Sequence, residues 1–121
     1  MKTIQQLRDA IEKAPARSAW RKGVNLYALE LIEDMEATRE FYGSPADKKD
    51  LLNGADDWKE YSEGGCALIY NEDIAERLCN PAELKRTKHG LNRPNGLESW
   101  MDVQARALFQ ASNLICRLAK D

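Results

Sequence analysis

Long hydrophobic runs are missing from this sequence. Charged residues, 31% of its 121 positions, interrupt the apolar ones everywhere, and no stretch approaches the roughly 20 apolar residues of a membrane span. The N-terminal MKTIQQLRDAIEK has no apolar block ahead of a small-residue cleavage site, so no signal peptide is expected. Cysteine is scarce and odd in number: Cys66, Cys79 and Cys116 suit a reducing cytoplasm better than a disulfide framework. The expected location is therefore cytoplasmic, with no membrane partner. Histidine is limited to His89. The series Cys66, Cys79, His89 and Cys116 has separations of 13, 10 and 27 residues, with none of the close ligand pairs on which structural zinc sites are built. Gly64-Gly65 lacks the Lys-Ser/Thr that completes a phosphate loop. No metal and no cofactor is expected.

Internal repeats and low-complexity linkers are also lacking, and the length fits one domain of the commonest size, about 100–150 residues. What is present is helical spacing. Thr3 followed by Gln6 reads as a capping box ahead of Ile4, Leu7 and Ile11. Ala14-Pro15 ends that helix, because proline disfavours the α conformation in the residue before it. Ser18 caps a longer element in which Trp20, Val24, Tyr27, Leu31, Met35 and Tyr42 form a stripe widened by Ala28 and Ile32. Gly23 weakens it and Gly43 is its expected stop. Ser44-Pro45 restarts the chain as cap plus proline, Lys48 to Leu52 reads as a short turn ended by Gly54, and Asp56 or Asp57 is expected to cap a segment with Trp58 and Tyr61.

Further on, Ile74 and Leu78 share a face of the short helix EDIAERLC, and Asn80-Pro81 opens AELKR. From Thr87 to Asn95 the pattern fails and a polar loop is expected. The last helix starts at Leu97 or Glu98, with a stripe of Trp100, Val103, Ala107, Ala111, Leu114 and Leu118 supported by Leu108 and Ile115. CALIY, Cys66 to Tyr70, is the only strand-like run; without a second strand it is read as helix or buried extended connector. The expected class is all-α, a single domain of about five or six helices over residues 1–121 framed by long helices near both ends. Gly64-Gly65 is its hinge.

The chemistry on offer is limited. Cys66, His89 and an acid such as Asp73 would form a cysteine-hydrolase constellation if the thiolate were stabilised at a helix start. Cys66, however, opens an apolar run, where free cysteines are buried and inert, so the protein is not expected to be an enzyme. Charge is more informative. The net value of −2 divides unevenly: residues 30–63 hold eleven Asp/Glu against four Lys/Arg, or −7, while residues 1–29 stand at +4. An acidic face of Glu30, Glu33, Asp34, Glu36, Asp56 and Asp57 is the first candidate binding site, and Glu33 and Glu36, one turn apart, could share a cation. The alternative is the basic loop, in which Lys85, Arg86, Lys88 and Arg93 stand beside His89, Asn92 and Asn95 and could contact phosphates. A sequence pI of about 5.5 makes nucleic acid secondary as a partner.

WKEYSEGGCALIYNEDIAERLCNPAELKR and then ESWMDVQARALFQA, with APARSAW more loosely, resemble small proteins encoded by phages and mobile elements of gut-type Firmicutes. The resemblance covers about the second half of the chain and carries over no site residues. It implies a cytoplasmic accessory protein that binds a host or element protein, a defence nuclease among them. The expected function is thus non-catalytic protein binding of the anti-defence kind, with a small nucleic-acid-binding regulator as its rival.

Overall fold

A computed structural model of the chain describes residues 3–41, 43, 47–64, 73, 74, 78, 86, 87, 90, 91 and 100–120. Four helices are present among the described residues: α1 (Ile4–Lys13), α2 (Ala19–Phe41), α3 (Lys48–Glu63) and α4 (Trp100–Lys120). Among the described residues the architecture is helical apart from one two-residue ladder, in keeping with the all-α class that the spacing predicts. CALIY, Tyr42, Ser44-Pro45 and Gly65 lie outside the described residues.

The starts and stops of α1 and α2 follow from their end residues. Thr3 Oγ1 accepts from the Gln6 backbone N–H at 3.1 Å, and Gln6 Oε1 accepts from the Thr3 N–H at 2.9 Å. Two of the N–H groups that a helix start leaves unpaired are thereby satisfied. Ala14 turns extended at ψ 136 ahead of Pro15, which closes α1. Ser18 Oγ then accepts from the Arg21 N–H at 3.0 Å to open α2. Gly43 follows the end of α2 at φ +81, a left-handed conformation that side-chain-bearing residues rarely adopt.

α3 departs from expectation. It runs unbroken for 16 residues through Gly54 and over Asp56 and Asp57, so there is no short turn at Lys48 to Leu52 and no new cap at Asp56 or Asp57. Its cap is Asp47, in a reciprocal box with Asp50 at 2.8 and 3.1 Å. Gly54 marks a close approach, not a stop: a Cβ there would lie 2.5 Å from Met35 Cε of α2. Gly23 has the same role inside α2, where a Cβ would lie 2.8 Å from Leu78 Cδ2. At the far end Gly64 caps α3, its N–H bonding Glu60 O.

α4 is the central helix. It packs most extensively on α3, then on α2 and then on α1. Val103, Ala107, Leu108, Ala111, Leu114, Ile115 and Ala119 are buried along it, and the small residues among them leave room for closely packed neighbours. Leu7 and Ile11 meet this core from α1. Val24, Tyr27, Ala28, Leu31 and Ile32 do so from α2, and Leu51, Ala55 and Trp58 from α3. Ile74 and Leu78, both helical, join them as the spacing predicts. Each large side chain so buried contributes about 1.5–3 kcal/mol from removal of apolar surface from water. Ser112 is accommodated inside because its Oγ donates to Leu108 O at 2.7 Å.

Arg86–Thr87 pairs antiparallel with Gly90–Leu91, Arg86 opposite Leu91 and Thr87 opposite Gly90. Thr87, Gly90 and Leu91 fall within the expected polar loop, whereas Arg86 ends AELKR, the segment that Asn80-Pro81 is expected to open, and is extended. Four residues are too few to show a period-2 pattern, which is why the sequence does not announce the ladder.

Candidate functional site

The acidic residues divide into three groups. Glu33 and Asp34 are exposed and Glu30 is half-buried; their spacing of three and four residues places them on one solvent-facing strip of α2. Glu36 points elsewhere. Its Oε1 accepts from Arg8 Nη2 of α1 at 2.6 Å, so its charge is already paired and the expected sharing of a cation with Glu33 is replaced by a tie between helices. Asp56 and Asp57 are exposed on the outer side of α3, where Glu60 and Glu63 are exposed too. The two helices are linked by Met35 against Gly54 and by Arg39 Nε 3.5 Å from Asp50 Oδ2, an ion pair without the alignment of a hydrogen bond. No group of three or more metal-binding side chains occurs among the described residues.

Asp57, Glu60, Tyr61 and Gly64 follow the i, i+3, i+4, i+7 spacing of one helix face, and they line an open cleft of about 530 Å³. Tyr61 is 55% exposed, one of two large hydrophobic side chains that are exposed among the described residues. An aromatic ring flanked by two carboxylates suits a cation: the ring face attracts a guanidinium or ammonium group, and carboxylates accept charge-assisted hydrogen bonds from it. Glu60 and the exposure of Tyr61 are missed because Asp57 is read as a candidate cap and Tyr61 is grouped with Trp58, which is buried. The signal that could have found them is the spacing from Asp57 to Gly64 itself.

Of the basic candidates, Lys85, Lys88 and Arg93 lie outside the described residues, as does His89, and Arg86 is described only by its backbone in the ladder. Cys66 and Cys79 also lie outside them. Cys116 is a buried free thiol.

A second cleft, of about 380 Å³, opens between the start of α2 and the second half of α4, lined by Arg21, Gln110, Asn113, Leu114 and Arg117. Trp20 Nε1 donates to Gln110 Oε1 at 2.7 Å across 90 residues of sequence and fixes one wall. None of these residues belongs to an expected site. Gln110, Asn113, Leu114 and Arg117 share one face of α4 at i, i+3, i+4 and i+7, but no short-range signal joins them to Arg21, since the cleft exists only when α2 and α4 pack.

No helix among the described residues is long and apolar enough to cross a membrane. No family model, no curated protein and no solved structure matches the chain.

Proposed function

We propose that this protein is a non-catalytic binding protein, an accessory factor of a phage or mobile element, whose acidic outer surface covers a basic site on a host protein. Its centre is the α3 cleft of Asp57, Glu60 and Tyr61, with Asp56 beside it and the Glu30, Glu33 and Asp34 strip of α2 as further negative charge. The observation that carries the reading is Tyr61, 55% exposed between carboxylates. Tyrosine is a favoured anchor at binding hot spots, and the carboxylates select an Arg- or Lys-rich partner. A nuclease fits that chemistry, because the surface with which it grips phosphates is basic; occupying that surface would inhibit it.

Capture of the tagged protein from nuclease-treated host lysate, read by mass spectrometry, tests the proposal. A basic protein is expected to be retained by the native chain and lost by the double variant Asp57→Lys with Glu60→Lys. Tyr61→Ala is expected to weaken the purified pair by about 2 kcal/mol or more, as hot-spot truncation does. Retention of the same partner by the charge-reversed variant would remove the electrostatic basis of the proposal.

A further inference from the structure

We propose that the cleft between α2 and α4 binds the phosphodiester backbone of a nucleic-acid strand. This site is separate from the acidic surface of α3, and neither proposal depends on the other. Arg21 and Arg117 reach the same cleft from different helices, and among the described residues neither side chain makes an ion pair. Two cations lining one hollow repel each other unless an anion lies between them. The described walls hold no carboxylate. Gln110 adds a donor: its carbonyl oxygen is occupied by Trp20, which leaves the amide –NH2 for a ligand. Asn113 offers a second amide. Arginine forks bind phosphate oxygens in pairs, so this donor-rich lining fits an oxyanion.

An extended polyanion fits better than a single ion. Beyond the cleft, Phe109, Asn113, Arg117 and Lys120 are exposed along α4 at spacings of three and four residues. They make one strip about 16 Å long at ~1.5 Å per residue. Phe109 is 38% exposed, an aromatic side chain beside a positive groove, and that pairing is how proteins hold single strands: backbone on cations, bases on rings. The proposal therefore commits to nucleic acid, single-stranded in preference to duplex, and without sequence readout.

The test is fluorescence anisotropy with a labelled single-stranded oligonucleotide of about 12 nucleotides, titrated at several salt concentrations between about 50 and 200 mM. The native chain is expected to bind, with affinity falling as salt rises. The double variant Arg21→Glu with Arg117→Glu is expected to bind about tenfold or more weakly. The milder pair Arg21→Gln with Arg117→Gln, which adds no new charge to destabilise the fold, should flatten the salt slope by about 1.4, since each single-strand phosphate contact contributes about 0.7. Lys49→Glu, on an exposed position of α3, makes the same charge change as a single Arg→Glu reversal but away from the cleft, and is expected to leave binding within about twofold. Absence of binding by the native chain at the lowest salt overturns the proposal. So does an equal loss from Lys49→Glu, which would mean net charge alone. Displacement of the oligonucleotide by inorganic phosphate or by a polyglutamate peptide as readily as by unlabelled strand also overturns it, by assigning the cleft to a lone anion or to an acidic protein.

Discussion

α3 and α4 are both amphipathic, pack on each other more than any other pair in the described structure, and differ on the side they show to solvent. α3 presents Asp56, Asp57, Glu60, Glu63 and Tyr61; α4 presents Arg106, Phe109, Asn113, Arg117 and Lys120. Each outer side thus has charge mainly of one sign and one exposed aromatic residue. The buried sides look alike because both answer the same requirement, removal of apolar surface from water. The outer sides are free of that requirement, and their opposite charges point to two different partners. A chain of net charge −2 can therefore carry a cationic site.

The largest effect should come from testing that separation of inner and outer sides directly. Leu108 is fully buried on α4, while Arg117 is exposed on the same helix. Leu108→Ala is expected to cost about 2–5 kcal/mol, the lost transfer energy plus the cavity left behind. Arg117→Glu should cost no more than about 1 kcal/mol, the size of losing a cation from the last turn of a helix. Urea denaturation followed by circular dichroism measures both. A similar loss in the two variants would show that Arg117 belongs to the packing, and the outer side of α4 would no longer be available to a ligand.

Next in size is a contrast between two glycines. At Gly23 a methyl group would meet Leu78 at 2.8 and 2.9 Å on its side chain and at 3.1 Å on its backbone nitrogen. At Gly54 its close neighbours are the mobile end of Met35 at 2.5 Å and the Trp58 ring at 3.3 Å. Helix propensity favours alanine at both positions by about 0.5–1 kcal/mol. Overpacking against backbone costs about 1–3 kcal/mol, so Gly23→Ala should be net destabilising. Met35 can swing its methyl aside, and Gly54→Ala should be neutral or slightly stabilising. If Gly54→Ala proved the more harmful, the α2–α3 junction would be the rigid one.

The same glycines show which parts of the fold could be read from the chain. Thr3, Ser18 and Gly43 act through residues close to them in sequence, so the boundaries they set for α1 and α2 were legible. The apolar stripes of α2 and α4 were legible too, because burial follows the helical period. Gly54 was not. Its reason for being glycine is Met35, 19 residues away and on another helix, and nothing local distinguishes a glycine that ends a helix from one that lets a neighbour approach. That one ambiguity broke α3 in two and made candidate caps of Asp56 and Asp57, which lie in its interior. The donor cleft was hidden more deeply, since Arg21 and Arg117 become neighbours only through packing. Charge count alone found the acidic residues but not which of them are paired: Glu36 is tied to Arg8 from 28 positions away.

That pairing gives the smallest expected effect and the finest distinction. Arg8 and Glu36 keep 26% and 36% of their side-chain surface in water, where an ion pair is worth about 0–1 kcal/mol. Glu36→Gln should therefore lower stability by less than about 1 kcal/mol, with the difference shrinking as salt screens the native pair. Its effect on partner capture should be smaller than that of Asp34→Asn, although both remove one negative charge from α2. The reason is local: Asp34 is exposed and its charge is open to a partner, whereas the field of Glu36 is already cancelled by a guanidinium 2.6 Å away. Affinity measured for the two single variants against the same captured protein decides it. Equal losses would mean that the partner senses only the total charge of the helix, and the acidic strip of α2 would then act as a diffuse field rather than as a set of contacts.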